Sequence, residues 1–139
     1  MKILQNKDWI LKLEKVKKEV DFMIGRPADE LIGDALEIRK ISTSYSLISE
    51  LTRRLAEKTD KDFVLVADLG FFEEFVQIYI RRSEKNNFST DIFRETALSL
   101  GARVGGKEEV AGIIIDRIDF EAYLDKLRKI FSDNDDSTT

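Results

Sequence analysis

Three short segments carry the residue types that can hold a phosphate. Ile80-Arg81-Arg82-Ser83 closes one apolar run, Phe88-Ser89 opens a helical stretch, and Leu100-Gly101-Ala102-Arg103-Val104-Gly105-Gly106-Lys107-Glu108-Glu109-Val110-Ala111-Gly112 links that stretch to a second apolar run. Glycine lets a backbone come close to a ligand and expose its N–H groups. Arg103 and Lys107 flank the Gly105-Gly106 amides, and Arg82 would join them if the strands pair. Amides with a few cations hold a phosphodiester without reading its bases. The same glycines, with Gly101, equally suit a purely structural turn from helix to strand, and the sequence leaves both readings open.

Other chemistry is excluded by what the chain lacks. It has no cysteine and no histidine. Disulfides, thiolate nucleophiles, imidazole bases and Ser-His-Asp or Cys-His triads are therefore impossible, as are Cys- or His-ligated metals. Asp68, Glu73 and Glu74 are the nearest approach to a carboxylate cluster. With no further acid at ligand spacing, they read as turn acidity rather than a cation site. The expectation is a protein that is not an enzyme and uses neither metal nor cofactor.

Charge narrows the remaining function. Net charge is −4 and the isoelectric point is near 5.0, unlike a protein that coats nucleic acid. Yet Val76 to Lys107 holds Arg81, Arg82, Lys85, Arg94, Arg103 and Lys107 against Glu84, Asp91 and Glu95. Asp133, Asp135 and Asp136 instead load the end of the chain. A locally basic face on an acidic protein fits modest, local contact. Charged residues make up 36% of the chain, above the roughly 25% of ordinary domains, with only two glutamines, a thermophile-like bias. No apolar run approaches the roughly 18 residues needed to cross a bilayer. Lys2, Lys7, Lys12 and Glu14 interrupt any leader-like segment, so a soluble, cytoplasmic protein without membrane contact is expected.

The elements that must position these residues follow from periodicity. Trp9, Leu13, Val16 and Val20 make an amphipathic stripe on a first helix capped by Asn6 or Asp8 and closed by Gly25-Arg26-Pro27. Asp29 to Lys58 reads as helical, as one helix or two broken near Ile41-Ser42-Thr43-Ser44, with Tyr45, Ile48, Leu51 and Leu55 on one side. Phe63 to Ala67, Phe75 to Ile80 and Val110 to Asp116 read as strands, the second with Phe75, Gln77 and Tyr79 on one face. Ser89 or Thr90 caps a helix that ends at Gly101, and Asp119 caps a last helix bearing Phe120, Tyr123, Leu124, Leu127, Ile130 and Phe131. Phe71-Phe72 reads as core, with an exposed partner site as the alternative. The fold class is α+β: a small sheet of about three to five strands covered by helices, with a helical N-terminal segment. Residues 1–131 form one domain, helical over 1–60 and mixed over 61–131. Residues 132–139 form a disordered acidic tail.

The order and spacing of the three phosphate-suited segments resemble the DHH-associated domain that follows the catalytic domain in RecJ-type proteins. There an Arg-Ser-like pair ends a strand, a polar loop leads to a hydrophobe-Ser helix start, and a Gly-Gly-His followed by a small-residue step enters a strand. The resemblance covers about Phe63 to Phe131. Lys107 stands in place of the family's histidine and Val110 in place of its small residue. The aspartates and histidines of a DHH catalytic domain have no counterpart here. The resemblance implies Arg82, Ser83, Arg103, Gly105, Gly106 and Lys107 as nucleic-acid-binding residues. It also implies a noncatalytic role like that of archaeal stand-alone RecJ DNA-binding-domain homologues related to cell division control protein 45. The expected partners are the GINS complex, MCM helicase indirectly, and single-stranded DNA, in a nucleoid-associated setting. The alternative is a free-standing single-strand or small-phosphate binding regulator with no replisome link.

Overall fold

The computed structural model describes residues 2–43 and 47–136, with side chains placed over 10–43 and 47–132. The order of elements is α1 (Lys2–Gly25), β1 (Glu30–Ile32), β2 (Leu36–Ile41), α2 (Ile48–Lys58), β3 (Phe63–Asp68), β4 (Phe75–Arg82), α3 (Asp91–Leu98), β5 (Arg103–Gly106), β6 (Val110–Asp116) and α4 (Arg117–Asp136). The strands form one mixed sheet in the order β1-β2-β3-β4-β6-β5. Only β2 and β3 run parallel, joined by α2 as a crossover; every other pair is antiparallel.

This corrects the expected helical segment over 1–60. Residues 30–41 form the β1–β2 hairpin, turning at Gly33, whose φ of 52° lies in the left-handed region. Leu31, Ala35 and Ile38 fall at i, i+4 and i+7, which imitates a helix face. The alternation that would have shown a strand is hidden because Glu37 is buried among apolar neighbours. Its carboxylate is held there by Arg39 Nε at 2.5 Å and Thr59 Oγ1 at 2.8 Å. The sheet also has six strands rather than three to five, because the Arg103–Gly106 segment, which reads as loop, is β5. α4 continues through Asp136, so the helix reaches into the segment expected as an acidic tail. Residues 137–139 and the Tyr45 position of the α2 stripe lie outside the described residues, as does the side chain of Trp9.

Alternation along the strands divides the core in two. Leu36, Ile38, Phe63, Leu65, Ala67, Val76, Ile78, Ile80, Ala111, Ile113 and Ile115 point to one face, where Phe93 of α3 and Phe120, Tyr123, Leu124 and Leu127 of α4 cover them. Tyr123 donates its hydroxyl to the Phe93 carbonyl at 3.0 Å, and burial pushes its phenol pKa up. On the other face, Ile41, Val64 and Val66 pack against Leu47, Ile48, Leu51 and Leu55 around α2 and Val20 of α1. α2 lies over β3 and β4. Side chains of β5 and β6 on that face are absent from this second core.

Candidate nucleic-acid interface

The β5–β6 hairpin is built by its turn. Lys107 donates its N–H to the Val110 carbonyl at 2.8 Å, and Val110 donates back to Lys107 at 3.3 Å. Three further bonds clamp the turn to its neighbours. Thr90 donates its N–H to the Glu108 carbonyl at 2.8 Å and its Oγ1 to the Lys107 carbonyl at 2.9 Å, while Arg82 donates its N–H to the Glu109 carbonyl at 3.1 Å. Thr90 heads α3, so the hydroxyl expected to cap that helix is spent on the hairpin; Ser89 Oγ instead accepts the Asp91 amide at 3.2 Å. Gly106 makes the sharp entry to the turn possible. Its φ is 119°, and a Cβ there would meet the Val110 carbonyl oxygen at 2.1 Å.

Pairing brings some of the six candidate residues together and separates others. Arg81 faces Val110 across β4–β6, so the end of β4 and the Lys107 turn share one end of the sheet. Arg82 is half-buried there. Its Nη1 donates to the Phe88 carbonyl at 3.3 Å and its Nη2 lies 3.9 Å from a Glu109 carboxylate oxygen. Ser83 is 2% exposed, and its hydroxyl accepts the Lys85 amide at 3.2 Å, so it shapes the following turn. Its own N–H goes to the Asp62 carbonyl at 2.8 Å. Desolvation, with help from the charge of Asp34, holds the Asp62 carboxyl above the usual carboxylate range. Arg103 pairs with Ile114, three residues along β5 from Gly106, or about 10 Å at ordinary strand rise. It belongs to the far end of the hairpin, away from the turn.

The turn's backbone is thus less open than glycine content suggests, since the Lys107 amide is already bonded. The open groups are side chains. Among the described residues the side chains of Arg81, Arg103 and Lys107 make no hydrogen bond or ion pair, whereas those of Arg39, Arg53, Arg54, Arg94 and Arg128 are all paired with carboxylates. Arg81 was not among the sequence candidates. The alternation Phe75, Gln77, Tyr79 points to it, because the next residue of that face is 81.

The sheet's second face carries these residues in rows. Arg103, Ile114 and Gln77 are cross-strand neighbours, and Gly105, Gly112 and Tyr79 form the next row. The two rows line an open groove of about 270 Å³. Around Arg103 it meets a second hollow of about 460 Å³ bordered by Phe72, Phe75, Gly101, Ile114 and Asp116. Phe71 is exposed and Phe72 half-buried, their rings edge to face at 4.9 Å, so this pair lines surface rather than core.

No group of three or more carboxylates among the described residues is placed to hold a metal ion. Asp68 Oδ1 accepts the amides of Gly70 at 2.9 Å and Phe71 at 3.2 Å, which commits that oxygen to the turn after β3. No helix among the described residues is long and apolar enough to cross a membrane.

No protein-family model matches the sequence, and no curated protein does. Solved structures do share the fold. The C-Ala domain of Aquifex aeolicus alanyl-tRNA synthetase aligns with a TM-score of 0.59 at 22% identity, over 74% of this chain and 96% of that domain. The pGpG-specific phosphodiesterase PggH of Vibrio cholerae aligns at 0.59 and 17% identity, over 90% of this chain and 42% of that one. RecJ of Thermus thermophilus, solved with Mg2+, aligns at 0.60 and 16% identity, over 84% of this chain but only 17% of its own. The chain therefore shares its fold with these proteins, corresponding to nearly all of the synthetase domain and to a minor part of the two longer proteins.

Proposed function

We propose that this protein is a noncatalytic module that binds single-stranded nucleic acid through the β5–β6 hairpin and the end of β4. The observation that carries this reading is the grouping of Arg81, Arg103 and Lys107, three cations without partners among the described residues, around a glycine hairpin on an acidic chain. Arg82 stands behind them, half neutralised by Glu109. Such an arrangement attracts phosphates without presenting hydrogen-bonding side chains in a base-specific array. The fold neighbours agree in kind: one belongs to an enzyme of tRNA, another acts on a dinucleotide. Fluorescence anisotropy of a labelled oligonucleotide across a salt series tests it. Each phosphate contact contributes a slope of about 0.7 in log–log form for single strands. Replacing Arg81, Arg103 and Lys107 together with glutamine is expected to remove about two units. Binding undetectable at low salt, or an unchanged slope, would return the hairpin to a structural role.

The finer reading is a replication subunit that joins GINS and, through it, MCM helicase. Its support is the resemblance of residues 63–131 to RecJ-type domains, together with an apolar stripe on α1. Val20 of that stripe is buried against α2 and Val16 half-buried, but Leu13 is 50% exposed and its neighbour Ile10 52%. Co-elution with GINS from the same source at micromolar concentration is the expected result. Separate elution would favour a free-standing regulator that binds single strands alone.

A further inference from the structure

The face of β6 and β5 that α2 leaves open, bordered on β4 by Tyr79 where that side chain also packs against the second core, has a makeup that phosphate binding alone does not require. Gly105 and Gly112 lie opposite each other on adjacent strands, so the sheet there is bare backbone. A Cβ on Gly105 would meet nothing within 4 Å, and one on Gly112 would meet the Tyr79 ring at 3.7 Å. The result is a flat floor walled on one side by an aromatic ring. Gln77, in the neighbouring row, has a buried side-chain oxygen with no hydrogen-bond partner. Arg103 is exposed at the groove's outer edge. Beyond it, Phe75 is 39% exposed on the same strand face as Tyr79, four residues or about 13 Å along β4.

From this we infer that the open face is a base-stacking surface for the same single strand, distinct from the phosphate contacts at the turn. The inference rests on the reading above. The groove of about 270 Å³ falls just below the roughly 300 Å³ where pockets for drug-sized ligands begin, which suits one planar ring. A base would lie on the Gly105–Gly112 floor against Tyr79, while Arg103 meets its phosphate. Aromatic groups beside cations are how single strands are held without sequence preference. Asp116, which pairs across the strands with Phe75, disfavours phosphate at the far hollow. It leaves Arg103 and Arg81 as the backbone contacts on this face. The floor is contiguous in sequence with Gly106 and Lys107, so a strand leaving the turn enters the groove directly.

An abasic oligonucleotide separates bases from phosphates. Anisotropy is measured for an oligothymidylate and an abasic strand of equal length, with the unmodified protein and with Gly105→Leu and Tyr79→Ala. Gly105 has ordinary strand φ and open space above it, so leucine fills the groove without disturbing the fold. The unmodified protein is expected to bind the abasic strand at least about fivefold more weakly, from the loss of stacking. Both variants should bind the two strands alike, at the abasic level. Equal affinity of the unmodified protein for the two strands overturns this inference and leaves the phosphate reading standing. So does a base preference that survives in both variants. Binding of neither strand overturns both readings. A dimer on a sizing column that Gly105→Leu dissolves, with no base preference, would show instead that the face seats a second copy.

Discussion

Thr90 and Lys107 are joined by a hydrogen bond from the threonine hydroxyl to the lysine carbonyl, 2.9 Å long, that fastens the start of α3 to the β5–β6 turn. Thr90 is fully buried. Replacing it with valine keeps the shape and removes one of the two hydrogen bonds that the Lys107 carbonyl accepts, the other coming from the Val110 amide, which costs about 0.5–1.5 kcal/mol. Thr90→Val should lower the urea midpoint accordingly, with no change in the slope of unfolding free energy against denaturant. It should also weaken oligonucleotide binding, because the turn that presents Lys107 loses one of its clamps.

Neighbouring glycines should respond in opposite ways. Gly106→Ala forces a Cβ into the Val110 carbonyl in a backbone region that costs about 1–3 kcal/mol for non-glycine residues before any clash. Gly105→Ala meets open space at ordinary φ and should be neutral or slightly stabilising. Thermal melts of the two variants side by side check this, and similar melting points would mean the turn is not formed as described.

How much of this was legible in the sequence depended on whether side chains alternate. Val110–Asp116 and the start of β4 could be placed because β-branched residues keep period two. Gly101, at φ 80°, could be placed because the end of a helix needs a left-handed residue. β5 could not be, because two of its four residues have no side chain to alternate. β2 was obscured by Glu37, a buried charge whose partners Arg39 and Thr59 only the fold brings near. In the site, residue types indicated Arg82 and Lys107 at one end of the sheet. They could not show that Ser83 is buried or that Arg103 lies at the hairpin's other end. Both depend on register.

Acid should loosen the contact of α4 with the β1 edge. Arg128 donates Nε and Nη2 to the two Glu30 carboxylate oxygens at 2.8 and 2.9 Å. That hydrogen bonding holds the Glu30 carboxyl below its ordinary 4.5 and raises the Arg128 guanidinium. A depressed carboxyl stabilises the fold fully above its unfolded pKa and loses that contribution as pH falls through the folded one. The pair is about a third exposed, so the effect is small, about 1 kcal/mol or less. Arg128→Leu should therefore destabilise at pH 7 and show a weaker loss of stability between pH 5 and 3 than the unmodified chain, read by urea titration at each pH. Asp62, whose carboxyl is raised, contributes with the opposite sign: its stabilisation is lost as pH rises through its folded pKa.

Glu109 restrains the site. Its carboxylate lies 3.9 Å from the Arg82 guanidinium and beside the turn that carries Lys107. Glu109→Gln removes that charge while its carbonyl still receives the Arg82 amide. Affinity for a single strand should rise about two- to fivefold at low salt, the worth of one exposed charge, with the gain vanishing at high salt as screening sets in. Anisotropy at two ionic strengths decides it, and unchanged affinity at both would place Glu109 outside the interface.

The central claim is where the strand lies. A titration of isotopically labelled protein with a short single-stranded oligonucleotide, followed by backbone amide chemical shifts at low salt, reads it directly. Shifts are expected to cluster on Arg81 and Arg82, on 103–107 and on 110–114, and to fade as salt is added. Shifts confined to α1 or to the α3–α4 surface, or none at saturating oligonucleotide, would contradict the account.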